Sequence, residues 1–142
     1  MRPQYTPSLE YLAGYFDGEG CVSMSARPAE RSYRLKVSIT GCCLPILQSL
    51  HTRYGGNIHE QGRSVNKQLY QWEVGKLQEC ATFLRDIQSL VIEKRSQVDV
   101  AVKWLDHRLM VPVRKGKGSV SYDLDLAKRT HDALRALKQV SY

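Results

Sequence analysis

Hydrophobic residues along this chain change period several times, and each change marks an element. Leu9, Leu12, Ala13 and Phe16 recur at i, i+3, i+4 and i+7, which predicts a helix with one apolar stripe. Thr6-Pro7 supplies the start signal, a hydroxyl cap followed by a proline in the first turn. From Cys21 to Arg27 the period falls to two, with Val22, Met24 and Ala26 on one side and Cys21, Ser23, Ser25 and Arg27 on the other. A polar turn at Pro28 to Arg31 leads into Tyr33 to Thr40, where Leu35, Val37 and Ile39 alternate with Arg34, Lys36, Ser38 and Thr40. Two such segments on a short link predict an antiparallel hairpin. Leu44 to Tyr54 returns to helical spacing through Leu44, Ile46, Leu47 and Leu50, with Gly55-Gly56 as its stop.

A second hairpin follows. Asn57 to Gln61 predicts a short strand around Ile58, and Gly62 to Asn66 a turn. Lys67 to Val74 is the return strand, with Tyr70, Trp72 and Val74 alternating with Leu69, Gln71 and Glu73. Leu77 to Ile87 is helical by its apolar spacing, and a break at Ser89-Leu90 precedes a longer helix at about Lys94 to Leu109. Pro112 to Gly118 predicts a flexible basic loop, and Tyr122 to Val140 a terminal amphipathic helix through Leu126, Ala133, Leu134 and Leu137. The order α-ββ-α-ββ-α plus C-terminal helices predicts an α+β fold, an antiparallel sheet of two hairpins with helices on one face. No linker divides the 142 residues, so a single domain is expected, with a core at about 6–110 and a helical extension at about 119–142.

The first helix has a second face. Gly14 and Gly18 lie four residues apart, with Tyr11 and Tyr15 beside them. Glycine in a helix costs about 1 kcal/mol against alanine, so the pair implies close approach of another backbone. That backbone belongs either to another element of the chain or to the same helix of a second copy, packed about a two-fold axis. Asp17-Gly18-Glu19-Gly20 closes the helix at its negative end, where carbonyls lack intrahelical partners. If two copies meet, two Glu19 carboxylates crowd beside free carbonyls such as that of Gly18, an oxygen set suited to a hard divalent cation.

The run LAGYFDGEG, residues 12–20, resembles the signature of the LAGLIDADG homing endonuclease family. Leu12, Ala13, Gly14, Asp17 and Gly20 match, Glu19 stands at the final acidic position, and Tyr15-Phe16 occupy the two apolar ones. The predicted element order is also that of the family core, so the resemblance runs from about Ser8 to Leu105; residues 111–142 match nothing in it. The resemblance implies a homodimer of the single-motif, intron-associated type. Such an enzyme cleaves a long pseudo-palindromic double-stranded DNA site by phosphodiester hydrolysis that depends on Mg²⁺ or Mn²⁺. Tyr11, Gly14, Tyr15 and Gly18 would form the pairing surface. Glu19, with the Gly18 carbonyl, would hold ions that activate water and stabilise the leaving oxygen. Lys94 falls on the lysine of a Lys-x-x-Gln stretch, with Gln97 following, and would stand near the scissile phosphate. One position departs from the pattern: relatives often carry glutamine where this chain has Gly41, so Thr40, water or another side chain has to take its place.

Charge agrees with such a partner. The net charge is +7 with a pI near 9.4, and Lys/Arg exceed Asp/Glu by 8 to 5 in residues 1–71 and by 13 to 9 in residues 72–142. The excess is spread through the fold, as a nucleic-acid surface requires. The polar side of the strands offers Ser23, Ser25, Arg27, Arg34, Lys36, Ser38, Asn57, His59, Gln61, Lys67 and Gln71, groups that pair with base edges and phosphates. Leu69 on the same side would meet a thymine methyl. In the family this face, built from both subunits, forms a saddle over DNA.

The cysteines, at 21, 42, 43 and 80, show no zinc spacing; reduced, buried thiols and an intracellular setting are expected, in a bacterial cytoplasm or an organelle. No signal peptide or membrane-length apolar run is seen. Two other functions stay open on sequence alone: a non-cleaving DNA-binding protein or intron maturase on the same scaffold, and a protein whose helix pair serves dimerisation without nucleic acid.

Overall fold

The computed structural model describes residues 6–111 and 122–138. The N-terminal arm at 1–5, the expected basic loop at 112–118 and the end of the last helix past 138 lie outside them. The elements run α1 (Leu9–Glu19), β1 (Gly20–Arg27), a 3₁₀ turn (Pro28–Glu30), β2 (Ser32–Gly41), α2 (Leu44–Tyr54), β3 (Asn57–Ser64), β4 (Lys67–Val74), α3 (Leu77–Ile87), α4 (Arg95–Met110) and α5 (Leu124–Lys138). The strands form one antiparallel sheet in the order β1-β2-β4-β3. The two hairpins therefore join along their return strands, and the first strand of each becomes an edge. This is the α+β arrangement the alternation predicts.

The apolar side of the sheet gives Val22, Leu35, Val37, Ile39, Trp72 and Val74 to a core completed by Leu12 and Phe16 of α1, Leu47 and Leu50 of α2, and Phe83 and Leu84 of α3. Phe83 lies at its centre, meeting the rings of Phe16, Tyr54 and Trp72 edge-on at 5.7, 5.0 and 5.1 Å between centroids. Each such pair adds about 0.5–1.5 kcal/mol beyond its buried area. The Trp72 indole N–H donates to the Gly55 carbonyl at 2.8 Å, which fixes the chain as it leaves α2. Gly55 and Gly56 turn there with φ of 86° and 83°, a region open to glycine, so the helix stop also aims β3 at β4.

Three details differ from the expectation. Ser8 caps α1, its Oγ accepting from the Tyr11 N–H at 3.1 Å, so Thr6-Pro7 precede the helix and do not cap it. The second turn is only Val65-Asn66, both at positive φ, because β3 continues to Ser64 past a bulge between Glu60 and Gly62. A bulge breaks the period-two pattern, which makes the outer half of the strand read as loop. Finally, of the cysteines only Cys80 is buried, with burial pushing its thiol up to about 12; Cys21 is partly covered, Cys42 and Cys43 are exposed, and all four are free.

Helix α5, which matched nothing in sequence, packs against α4 and β1 and adds Ala127 and Leu134 to the same core. The Tyr122 ring stands edge-on to Trp104 at 5.4 Å, while its hydroxyl donates to the Arg31 carbonyl at 2.9 Å. The first hairpin is thereby tied to the C-terminal helices.

Candidate functional site

Helix α1 buries Leu12, Ala13 and Phe16 and leaves its other side open. A Cβ built on Gly14 or Gly18 meets no atom within 4 Å, and Tyr11, 51% exposed, stacks on Tyr15 at 6.2 Å. Among the described residues, nothing covers this glycine face. Of the four residues predicted to form it, Tyr15 differs: it is partly buried, and its phenol is turned toward the end of β2. Its hydroxyl occupies the space a Cβ at Gly41 would need. Burial, then the neighbouring Cys43 thiol and Glu19 carboxylate, raise the Tyr15 pKa above the usual phenol value.

Glu19 ends α1 with its carboxylate exposed, one helical turn beyond Tyr15. Sequence reasoning gave Asp17, two residues earlier, no role. In the structure its carboxylate accepts the backbone N–H groups of Ile92 at 2.7 Å and Lys94 at 3.1 Å, and its carbonyl accepts the Lys94 ammonium at 2.5 Å. Asp17 therefore clamps the start of α4 onto the end of α1 and brings Lys94 to the helix terminus that carries Glu19. A signal was available: a carboxylate at the negative end of a helix is disfavoured unless outside donors hold it. Gln97, by contrast, is buried, as part of the packed side of α4.

Glu19 and the terminal carbonyls of α1 present oxygen donors only, the set a hard divalent cation takes. Among the described residues no three His, Cys, Asp or Glu side chains converge as a metal cluster.

The register collects the predicted strand residues on one side of the sheet. Ser23 faces Lys36, Ser25 faces Arg34 and Arg27 faces Ser32 across the first hairpin. Ser38 and Asn57 both neighbour Glu73, and His59 neighbours Gln71. Gln61, at the bulge, donates to the Gln71 side chain at 3.2 Å, and Gln71 donates to the Thr40 hydroxyl at 3.4 Å. Lys67 and Leu69 follow Gln71 and Glu73 by alternation along β4. Ser38 is 6% exposed and lies beneath its neighbours, so it is the one residue of this set that is buried. A groove of about 840 Å³ opens here, lined by Ser23, Ser25, Arg34, Lys36, Asn57 and Glu73 among others.

Glu73 is the acid within this basic face. Lys36 reaches it at 3.3 Å and His59 at 3.0 Å. Partial burial acts to raise its pKa, but the hydrogen bonds from His59 and Lys36 outweigh that, and the carboxyl sits below its ordinary value.

No family model and no curated protein matches the sequence. Solved structures do match. The homing endonuclease I-CvuI, in complex with its target in the presence of calcium, aligns with a TM-score of 0.55 at 17% identity over 94% of this chain and 96% of its own. The archaeal intron-encoded homing endonuclease I-Vdi141I, complexed with DNA, aligns at 0.53 and 20% over 93% and 97%. The LAGLIDADG homing endonuclease I-SmaMI, bound to cleaved DNA, gives 0.64 at 16% identity over 99% of this chain but only 46% of its own. The present chain has the LAGLIDADG homing endonuclease fold.

Proposed function

We propose that this protein is a site-specific double-strand DNA endonuclease of the homing type, acting as a homodimer on a long pseudo-palindromic site with Mg²⁺ or Mn²⁺. One observation carries the reading: an uncovered glycine stripe on α1 leads directly to an exposed Glu19, with Lys94 docked at the same helix end. Pairing two copies along that stripe places two Glu19 side chains together beneath a polar, basic sheet face on each side. The structural neighbours support this arrangement, since the chain spans nearly all of I-CvuI and less than half of I-SmaMI. The free thiols fit a reducing interior.

Hydrolysis forms a bond from a water oxygen to phosphorus as the ester bond to the departing strand breaks in line. The water gives up a proton and the departing oxygen gains one. The C-terminal end of α1, with Glu19 and free carbonyls, repels a phosphate by itself. A divalent ion held by Glu19 and the Gly18 carbonyl would reverse that repulsion and supply an activated water. Lys94 adds a fixed positive charge beside the phosphate. The sheet residues Ser23, Ser25, Arg27, Arg34, Lys36, Asn57, His59, Gln61, Lys67, Leu69 and Gln71 position the duplex and read it.

Duplexes captured from a random pool provide the substrate. Wild type is expected to cut them with Mg²⁺, and Glu19→Gln to bind them equally while losing cleavage. A wild type that binds tightly and cuts none of them with either ion contradicts the assignment. That result supports the second reading, a non-cleaving DNA-binding protein or maturase, which Gly41 favours by offering no side chain at the site.

A further inference from the structure

We propose that the Tyr15 hydroxyl is a catalytic group, donating a hydrogen bond to a non-bridging oxygen of the scissile phosphate. The inference rests on the nuclease reading given above and extends it to a residue in an otherwise apolar position of the motif. Tyr15 stands one helical turn before Glu19 and so on the same side of α1. Its ring is held by stacking on Tyr11 and by partial burial, which sets the position of the hydroxyl oxygen and leaves the O–H free to turn toward an acceptor. Among the described residues no group accepts that proton; the Asp17 carboxylate, by contrast, is engaged by the backbone N–H groups of Ile92 and Lys94 just before α4.

Gly41 is the counterpart of this arrangement. A Cβ there would run into the Tyr15 hydroxyl, and the ring carbon bearing that hydroxyl would lie 3.4 Å away. The two positions share one volume, so the chain places its polar group from α1 and removes the side chain from β2. A held donor on the helix side that carries Glu19 is worth most to an anion brought to the same place, since its oxygen need not move as charge builds on the phosphate.

The test has a structural and a kinetic arm. Gly41→Ala should lower the melting temperature in the Tyr15 background, and Tyr15→Phe should relieve most of that loss; equal losses in both backgrounds overturn the shared volume. On a duplex that wild type cuts, Tyr15→Phe should keep DNA affinity and slow single-turnover cleavage on the order of 10²-fold, the size for one positioned donor. With sulfur replacing one non-bridging oxygen of the scissile phosphate, one of the two diastereomers should abolish the rate difference between wild type and the Tyr15→Phe variant. A Tyr15→Phe enzyme that cuts at the wild-type rate, or whose defect is unchanged by both sulfur substitutions, overturns the proposal while leaving the nuclease reading intact. A wild type that cuts nothing removes both.

Discussion

At the scale of single residues, the two acids of the motif are held in different ways. The Asp17 carboxylate satisfies two backbone donors 75 and 77 residues away, while Glu19 is left exposed. Charge-assisted bonds of this kind contribute about 1–3 kcal/mol when a partner is removed, so Asp17→Ala should lower the melting temperature by roughly 3–8 °C. Thermal unfolding followed by circular dichroism checks this, and an unchanged midpoint would show that the clamp carries no stability. The place of Asp17 at a helix C-terminus signals that outside donors hold it, but the sequence does not say which, because they are backbone groups of a distant link. The shared volume of Tyr15 and Gly41 is hidden for the same reason. Sequence shows a missing side chain at 41, and only the packing shows which group stands there.

Among elements, the apolar stripes were the legible part. Leu12, Ala13 and Phe16, then Val22 and Met24, then Leu35, Val37 and Ile39 are buried where their periods put them. The outer part of β3 was not legible, since the bulge near Gln61 shifts its faces, and α5 has no pattern that tells what it will cover. The glycine stripe of α1 makes a prediction of opposite signs. Gly14→Ala and Gly18→Ala meet empty space within one chain, so each should stabilise the dilute monomer by up to about 1 kcal/mol. In a close helix pair the same methyl groups separate the backbones and weaken association. Denaturant unfolding compared with the dimer dissociation constant separates the two effects; alanine variants that dimerise as tightly as wild type would remove the glycine face from the interface.

The sheet face belongs to the same scale. Glu73 occupies Lys36 and His59 in the free protein, so one lysine of the basic surface is already paired. Glu73→Gln should release Lys36 for a phosphate, raising affinity for non-specific duplex and steepening the slope of log K against log salt by about one. An unchanged slope would show that Lys36 never reaches the DNA backbone.

At the scale of the whole molecule, the proposed pairing makes the chain one half of the working enzyme. Its positive charge is spread over both halves of the sequence, its polar sheet face is continuous across two hairpins, and among the described residues one side of one helix is left without cover. The fold could be read from periodicity and the candidate acid from the motif, but the proposed pairing rests on the exposure of the glycine face, which only the packing reveals. Sedimentation of the protein with a captured duplex in Ca²⁺ tests that pairing most directly. The account predicts a complex whose protein mass is twice 16.2 kDa on one duplex. A complex that holds a single chain at saturating protein would contradict it.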